Sequence, residues 1–187
     1  MNVIPTKIPD VLILEPRVFG DERGFFYESY NEVELLKQAG IHDRFVQDNH
    51  SRSARHVLRG LHYQIKQTQG KLVRAVIGEI FDVAVDLRKD SAFFGEWVGV
   101  RLSAENKQQI WVPPGFAHGF LVLSEFAEVV YKTTDFYSPS DERCLLWDDP
   151  EIAIDWALDG DPPILSSKDQ SGKKLREAEV FAWSRSY

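Results

Sequence analysis

Short apolar segments crowd the stretch between positions 72 and 133, and turn-forming residues close off each one. Phe81, Val83, Val85 and Leu87 alternate with Asp82, Ala84, Asp86 and Arg88, the period of two expected of a half-buried strand. Leu72 to Ile77, Trp97 to Leu102, Gln109 to Val112, Gly119 to Leu123 and Glu128 to Thr133 are further strand candidates. Gly78-Glu79, Lys89-Asp90-Ser91, Ser103 to Lys107 and Pro113-Pro114-Gly115 supply the breaks. Many short strands at such spacing predict a sandwich or barrel and argue against an α/β sheet.

One segment reads as helical, near Asn31 to Ala39. Ser29 and Glu32 stand at capping-box spacing, Val33, Leu35 and Leu36 form an apolar stripe, and Gly40 can end it. From about Asp159 the pattern weakens through Pro162-Pro163 into a charged tail, read as helical or irregular. No repeat, low-complexity tract or linker divides the chain, so residues 1–187 are expected to form one domain.

With 22 basic and 29 acidic residues the formal charge is −7, which speaks against a general nucleic-acid or anionic-membrane binder. A few arginines in one pocket can still hold a small anion. The sole cysteine, Cys144, allows no intrachain disulfide and no cysteine-based zinc cluster, and fits a reducing compartment. Val11 to Leu14 is too short for a signal core or a membrane span, so a soluble cytoplasmic protein is expected.

Three stretches carry candidate chemistry: Val57-Leu58-Arg59-Gly60-Leu61-His62-Tyr63-Gln64, Gln69-Gly70-Lys71-Leu72-Val73-Arg74 and Pro113-Pro114-Gly115-Phe116-Ala117-His118-Gly119-Phe120. The last resembles the second cupin motif, PxGxxH. The first two resemble an altered first cupin motif, with Gln64 in place of its second histidine and Lys71 in place of its glutamate. Two histidines, an amide and an ammonium are a poor ligand set for a divalent cation, so a cupin pocket without its metal is expected.

A narrower resemblance covers nearly the whole chain. Arg17 to Phe26, Phe45 to Ser51, Leu58 to His62, Gly78 to Leu87, Leu102 to Lys107, Val130-Tyr131-Lys132 and Leu165 to Asp169 resemble the dTDP-4-dehydrorhamnose 3,5-epimerase family. The resemblance implies a mainly β, cupin-type jelly-roll barrel with a short helix near its N-terminus and a helical or irregular C-terminal tail. It implies conversion of dTDP-4-dehydro-6-deoxy-D-glucose to dTDP-4-dehydro-L-rhamnose, in dTDP-L-rhamnose biosynthesis, with no cofactor and no metal. By position, His62 matches the family's base, Asp169 its supporting carboxylate, Tyr131 its opposing acid and Lys71 the lysine beside the sugar carbonyl. Arg23, Glu28, Gln47, Asp48, Asn49, Arg59, His118, Glu142 and Lys168 match positions around the nucleotide-sugar. The resemblance further implies a homodimer, in which Arg23 and Glu28 reach the neighbouring subunit's substrate.

These residue types suit that chemistry. Histidine, with an ordinary pKa of about 6.5, is a neutral base near physiological pH. A carboxylate on its second nitrogen fixes the tautomer and stabilises the imidazolium. A lysine can hold an enolate oxygen, a neutral phenol can return a proton, and guanidinium groups suit a pyrophosphate. No GxGxxG fingerprint for a redox cofactor is present. In a regular strand Arg59 and His62 would face opposite sides, so if both line the pocket, Gly60 should mark a bulge or twist.

Each residue also has a plainer reading. His62 alone would more often be a hydrogen-bonded core histidine, Lys71 a snorkelling surface lysine, Tyr131 packing, and Asp169 a surface turn carboxylate. His118 divides between a substrate contact and a remnant of a metal site. His42 and His56 read as solvated, His50 as undecided, and Asp141 and the Asp148-Asp149 pair as solvated faces, with Glu142 alone promoted to the site. A single-centre epimerase or 3,4-ketoisomerase of the same superfamily, a metal-dependent cupin using His62 and His118, and a non-catalytic nucleotide-sugar binder are the alternatives.

Overall fold

The structure is a computed structural model, described here for residues 1–182. Thirteen strands are described: β1 (Asn2–Pro5), β2 (Leu12–Glu15), β3 (Phe19–Asp21), β4 (Gly24–Phe26), β5 (Gln47–Ala54), β6 (Leu58–Gln64), β7 (Lys71–Ile77), β8 (Glu79–Asp86), β9 (Trp97–Ser103), β10 (Gln109–Val112), β11 (Phe116–Val122), β12 (Phe126–Thr133) and β13 (Glu142–Cys144). They form a six-stranded sheet, β1-β2-β10-β7-β12-β5, a five-stranded sheet, β13-β6-β11-β8-β9, and a separate β3–β4 hairpin. All strand pairs are antiparallel, and the two large sheets face one another as a jelly roll. No helix of the described residues is long and apolar enough to cross a membrane.

Between the sheets, Val73, Ala75, Ile80, Ala84, Val100, Leu102, Ile110, Phe120 and Val129 form the central core. A second cluster, including Leu58, Leu61, Val83, Val85, Leu121, Leu145 and Trp156, lies on the other face of the five-stranded sheet. Segments from Trp147, Ile154, Leu165, Leu175 and Phe181 cover it. Strand β8 is therefore buried on both faces, which corrects the half-buried reading of its alternation. Its carboxylates tolerate burial because they are paired: Asp86 with Arg88 at 2.6 Å and Asp82 with His118.

The predicted helical segment is present and begins one residue later, at Glu32. Its N-cap is Asn31, not Ser29, because the Asn31 carboxamide oxygen accepts from Val33 N and Glu34 N. Helix α1 (Glu32–Glu34) runs into a π-helical turn over Leu35–Ala39, and Gly40, at φ 66°, ends it in the left-handed conformation. Of the expected stripe only Leu35 is buried; Val33 and Leu36 are exposed.

The tail contains helix α2 (Ser167–Gln170) and a 3-10 turn at Leu175–Glu177, joined by irregular chain. Parallel bridges at Val57–Ile164, Leu145–Lys173 and Arg88–Phe181 dock it on the five-stranded sheet. Asp149 is buried there, not solvated, because its carboxylate accepts from Glu151 N and Leu175 N. His56 is likewise mostly enclosed, between Asp159 and Asp161, whereas His42 is exposed and His50 pairs with Glu128.

Candidate active site

A cavity of about 580 Å³ opens between the sheets, inside the range of about 300–1,000 Å³ usual for small-molecule sites. Strand β5 gives its wall Gln47, Asn49 and Ser51, and Asp48 projects to the opposite face, 2.9 Å from Lys132. Strand β5 thus alternates like any strand, but its inward side chains are polar because they face the cavity. That is why no hydrophobic period marks it in the sequence.

His62 reaches the same cavity from β6, and Arg59 does too. The expected irregularity at Gly60 is present: the β6–β11 register shifts between the His118–His62 and Phe120–Arg59 pairs. Gly60 adopts φ 125°, and a Cβ there would lie 2.5 Å from Gly119 Cα. Glycine alone fits both the backbone angle and the close approach of the two strands.

His62 Nε2 lies 2.7 Å from Asp169 Oδ1. The carboxylate comes from α2, where Asp169 and Ser166 make a reciprocal capping box. Asp169 also accepts from Ser166 Oγ at 2.6 Å and from Gly60 N at 3.3 Å. Burial alone would raise its pKa, but the His62 and Ser166 hydrogen bonds prevail and hold it at about 2. For His62, burial lowers the pKa and outweighs the opposing pull of Asp169. The ring is thereby kept as a neutral base, and Nδ1 takes no protein hydrogen bond among the described residues.

Lys71 enters from β7 in the opposite sheet, buried, with Nζ 3.3 Å from the His62 carbonyl oxygen. Burial pulls its pKa down to about 8, against the attraction of Asp82 and Glu142. Tyr131 lines the cavity from β12, across from His62, and burial raises its phenol pKa, so it remains protonated at neutral pH. At the mouth, Glu142 accepts from Lys168 Nζ at 2.7 Å and from the Tyr137 hydroxyl at 3.0 Å. Arg59 Nε donates to Ser53 Oγ at 2.9 Å.

The structure thus gathers His62, Asp169, Lys71, Tyr131, Gln47, Asn49, Arg59, His118, Glu142 and Lys168 around one cavity. Arg23 and Glu28 are not among its lining; Arg23 is exposed in the turn between β3 and β4, paired with Asp21. Two contributors escaped the sequence reading. Asp82, wholly buried, holds His118 Nε2 at 2.9 and 3.0 Å. Ser51 Oγ is the one buried side-chain polar atom without a partner among the described residues. Tyr137 lines the cavity as well.

Donor atoms of His62, Cys144 and Asp169 lie within 4.8 Å of one another, as do those of His56, Asp159 and Asp161. The first set suits a metal badly, since burial pushes the Cys144 thiol up to about 12 and Asp169 already serves His62. His118 is turned onto Asp82 and belongs to neither group.

A jelly roll that carries a His–Asp dyad, a buried lysine and a facing tyrosine in one cavity defines an acid–base catalyst of the cupin class. The sequence pattern of the dTDP-4-dehydrorhamnose 3,5-epimerase family matches residues 5–177. The chain is 66% identical over 181 residues to the dTDP-4-dehydrorhamnose 3,5-epimerase of Pseudomonas aeruginosa, covering 97% of this chain and 99% of that one. It is 53% identical over 179 residues to the enzyme of the same name from Methanothermobacter thermautotrophicus, covering 95% and 96%. A crystal structure of dTDP-6-deoxy-D-glucose-3,5-epimerase from Legionella pneumophila, in complex with dTDP-4-keto-L-rhamnose, is similar with a TM-score of 0.93 and 56% identity, covering 95% of this chain and 94% of that one. The chain belongs to the dTDP-4-dehydrorhamnose 3,5-epimerase family.

Proposed function

We propose that this protein inverts C3 and C5 of dTDP-4-dehydro-6-deoxy-D-glucose, giving dTDP-4-dehydro-L-rhamnose, with the proton moved by His62 and Tyr131. The observation that carries the reading is the His62–Asp169 pair, His62 from the five-stranded sheet and Asp169 from α2, in one cavity with Tyr131 of the six-stranded sheet.

Protons beside a ketone become removable when the resulting enolate is stabilised. His62 takes the proton from the carbon on its side, and Asp169 balances the imidazolium that forms. Lys71, held near the His62 carbonyl, places an ammonium for the enolate oxygen at C4; one such donor is worth about 10²–10³-fold. Tyr131 then delivers its phenolic proton to the opposite face, which inverts the centre. Once His62 has passed its proton to solvent and Tyr131 has taken one back, the same groups serve C3 and C5 in turn, because both carbons flank one carbonyl.

Lys168, Arg59, Gln47 and Asn49 supply donors for the diphosphate and sugar, His118 lines the same cavity, and Ser51 Oγ offers a further hydrogen bond. We assign Arg23 and Glu28 to the cavity of a second copy in a cytoplasmic homodimer. The exposed aromatics of the β3–β4 hairpin that carries Arg23, namely Phe19, Phe25 and Phe26, give that copy an apolar surface to cover.

The test is deuterium uptake from D₂O into dTDP-4-dehydro-6-deoxyglucose, followed by NMR with and without a chelator. Enzyme-dependent exchange at both C3 and C5, unaffected by chelator, is the expected result. Exchange at one carbon only would make the protein a single-centre epimerase.

A further inference from the structure

The segment Asp135–Ser138 crosses the mouth of the cavity and carries Tyr137, yet burial does not hold it. Phe136 and Tyr137 are 58% and 52% exposed. Three glutamine side chains hold it instead, helped at its ends by Thr133 Oγ1, which donates to Asp135 O, and by Ser138 Oγ, which donates to Asp141. Gln64 Oε1 accepts from Ser138 N at 2.8 Å, and Gln64 Nε2 donates to Phe136 O at 3.2 Å and to Gln67 O at 2.7 Å. Gln47 Oε1 accepts from Tyr137 N at 3.1 Å, and Gln69 Nε2 donates to Asp135 O at 2.9 Å. Every residue of the segment is tied to one of the three.

Gln64 is the centre of the arrangement. It is 4% exposed, uses both ends of its carboxamide, and sits opposite Glu142 in the β6–β13 register. Glu142 in turn accepts from the Tyr137 hydroxyl. One side chain therefore fixes the strap that carries Tyr137 and lies beside the strand that carries its partner.

We propose that Gln64 is a positioning residue. By clamping the Asp135–Ser138 strap it sets Tyr137 against the bound nucleotide-sugar, and so governs affinity and not the proton transfers. The inference rests on the proposed function, since it takes the cavity to be the nucleotide-sugar site. An amide exchanged for a thioether of similar length removes the clamp's hydrogen bonds at nearly constant shape, and leaves Ser138 N, Phe136 O and Gln67 O to water.

The experiment compares wild type, Gln64→Met, Tyr137→Ala and the double variant. dTDP affinity is measured by calorimetry, and kcat and KM with the 4-keto substrate. We expect Gln64→Met to weaken dTDP binding and raise KM about tenfold, with kcat within about threefold and the pH profile unmoved. In the Tyr137→Ala background the same exchange should cost less than about twofold, because the strap no longer presents the ring. Unchanged dTDP affinity in Gln64→Met, a loss confined to kcat, or a full tenfold effect persisting without Tyr137 would each overturn the clamp. Should Gln64→Met not fold, Gln69→Met, which removes one tie to the same strap, must show a two- to fourfold effect of the same kind or the proposal fails. Epimerase activity of the wild type is read separately, so failure of the clamp and failure of the proposed function give different results.

Discussion

Replacing Asp169 by asparagine changes one oxygen to nitrogen in a group that accepts hydrogen bonds on every side. His62 Nε2, Gly60 N, Ser166 N and Ser166 Oγ all point donors at it, between 2.6 and 3.3 Å. An asparagine can keep its oxygen toward Ser166, where two donors converge, but its NH₂ then faces His62 Nε2. The imidazole must present a lone pair there and move its hydrogen to Nδ1, the nitrogen free of protein partners. The base then carries a proton on the atom that should take one. The same exchange in a Ser-His-Asp triad lowers kcat about 10⁴-fold through the same tautomer error, and we expect a loss of about 10³-fold or more here.

Stability supplies a second reading of the same variant. The Asp169 carboxyl sits at about 2 against an ordinary 3.8, a shift worth on the order of 2 kcal/mol for a side chain only 4% exposed. Because the folded-state value is depressed, that contribution is present above pH ~4 and disappears as pH falls toward about 2. Deuterium-exchange rates at C3 and C5 measure the first effect. Urea unfolding of both proteins between pH 5 and pH 2 measures the second, and the gap between them should narrow by about that amount. An asparagine variant that keeps more than about a tenth of wild-type turnover would refute the tautomer argument.

Three further outcomes follow from other parts of the site. Lys71→Met should lower kcat by about 10²–10³-fold and yet stabilise the protein at pH 7, since the buried ammonium, shifted to about 8, costs on the order of 3 kcal/mol; the wild type should gain stability as pH rises from about 8 to 10.5, and its kcat/KM should fall near pH 8, with a lower limb below pH ~6.5 from His62. A destabilised methionine variant in thermal unfolding would count against the assignment. Tyr131→Phe should still exchange deuterium at His62's face while forming little inverted product, seen as labelled but unepimerised sugar by NMR. Gly60→Ala should destabilise by more than about 3 kcal/mol in urea, because φ 125° and a Cβ 2.5 Å from Gly119 Cα leave it no room.

The sequence pattern showed the strands whose period is written in hydrophobicity; β10 matches its expected bounds at Gln109–Val112. Strand β5 was illegible because its inward residues are the polar lining of a cavity. The alternation of β8 was misread because Asp82 and Asp86 resemble solvent-facing residues until their partners His118 and Arg88 are located. Asn31 and Ser29 are both good caps, and only the backbone distinguishes which one is used. Gly60's irregularity was legible, since Arg59 and His62 cannot otherwise share a side. The dyad was not: 107 residues separate its members, and no local pattern reaches that far, so Asp169 was found only through the family resemblance.

That separation orders events during synthesis. The β strands that form the cavity, with His62, Lys71 and Tyr131, leave the ribosome before the segment bearing Asp169, which must dock at Ile164 and Lys173 before the dyad exists. Without that segment His62 lacks its carboxylate, and the cavity lacks the wall given by Ile164, Leu165, Ser166, Lys168 and Asp169. Turnover therefore depends on the seating of that segment, and its undocking would silence the site by withdrawing the carboxylate and part of the cavity wall together.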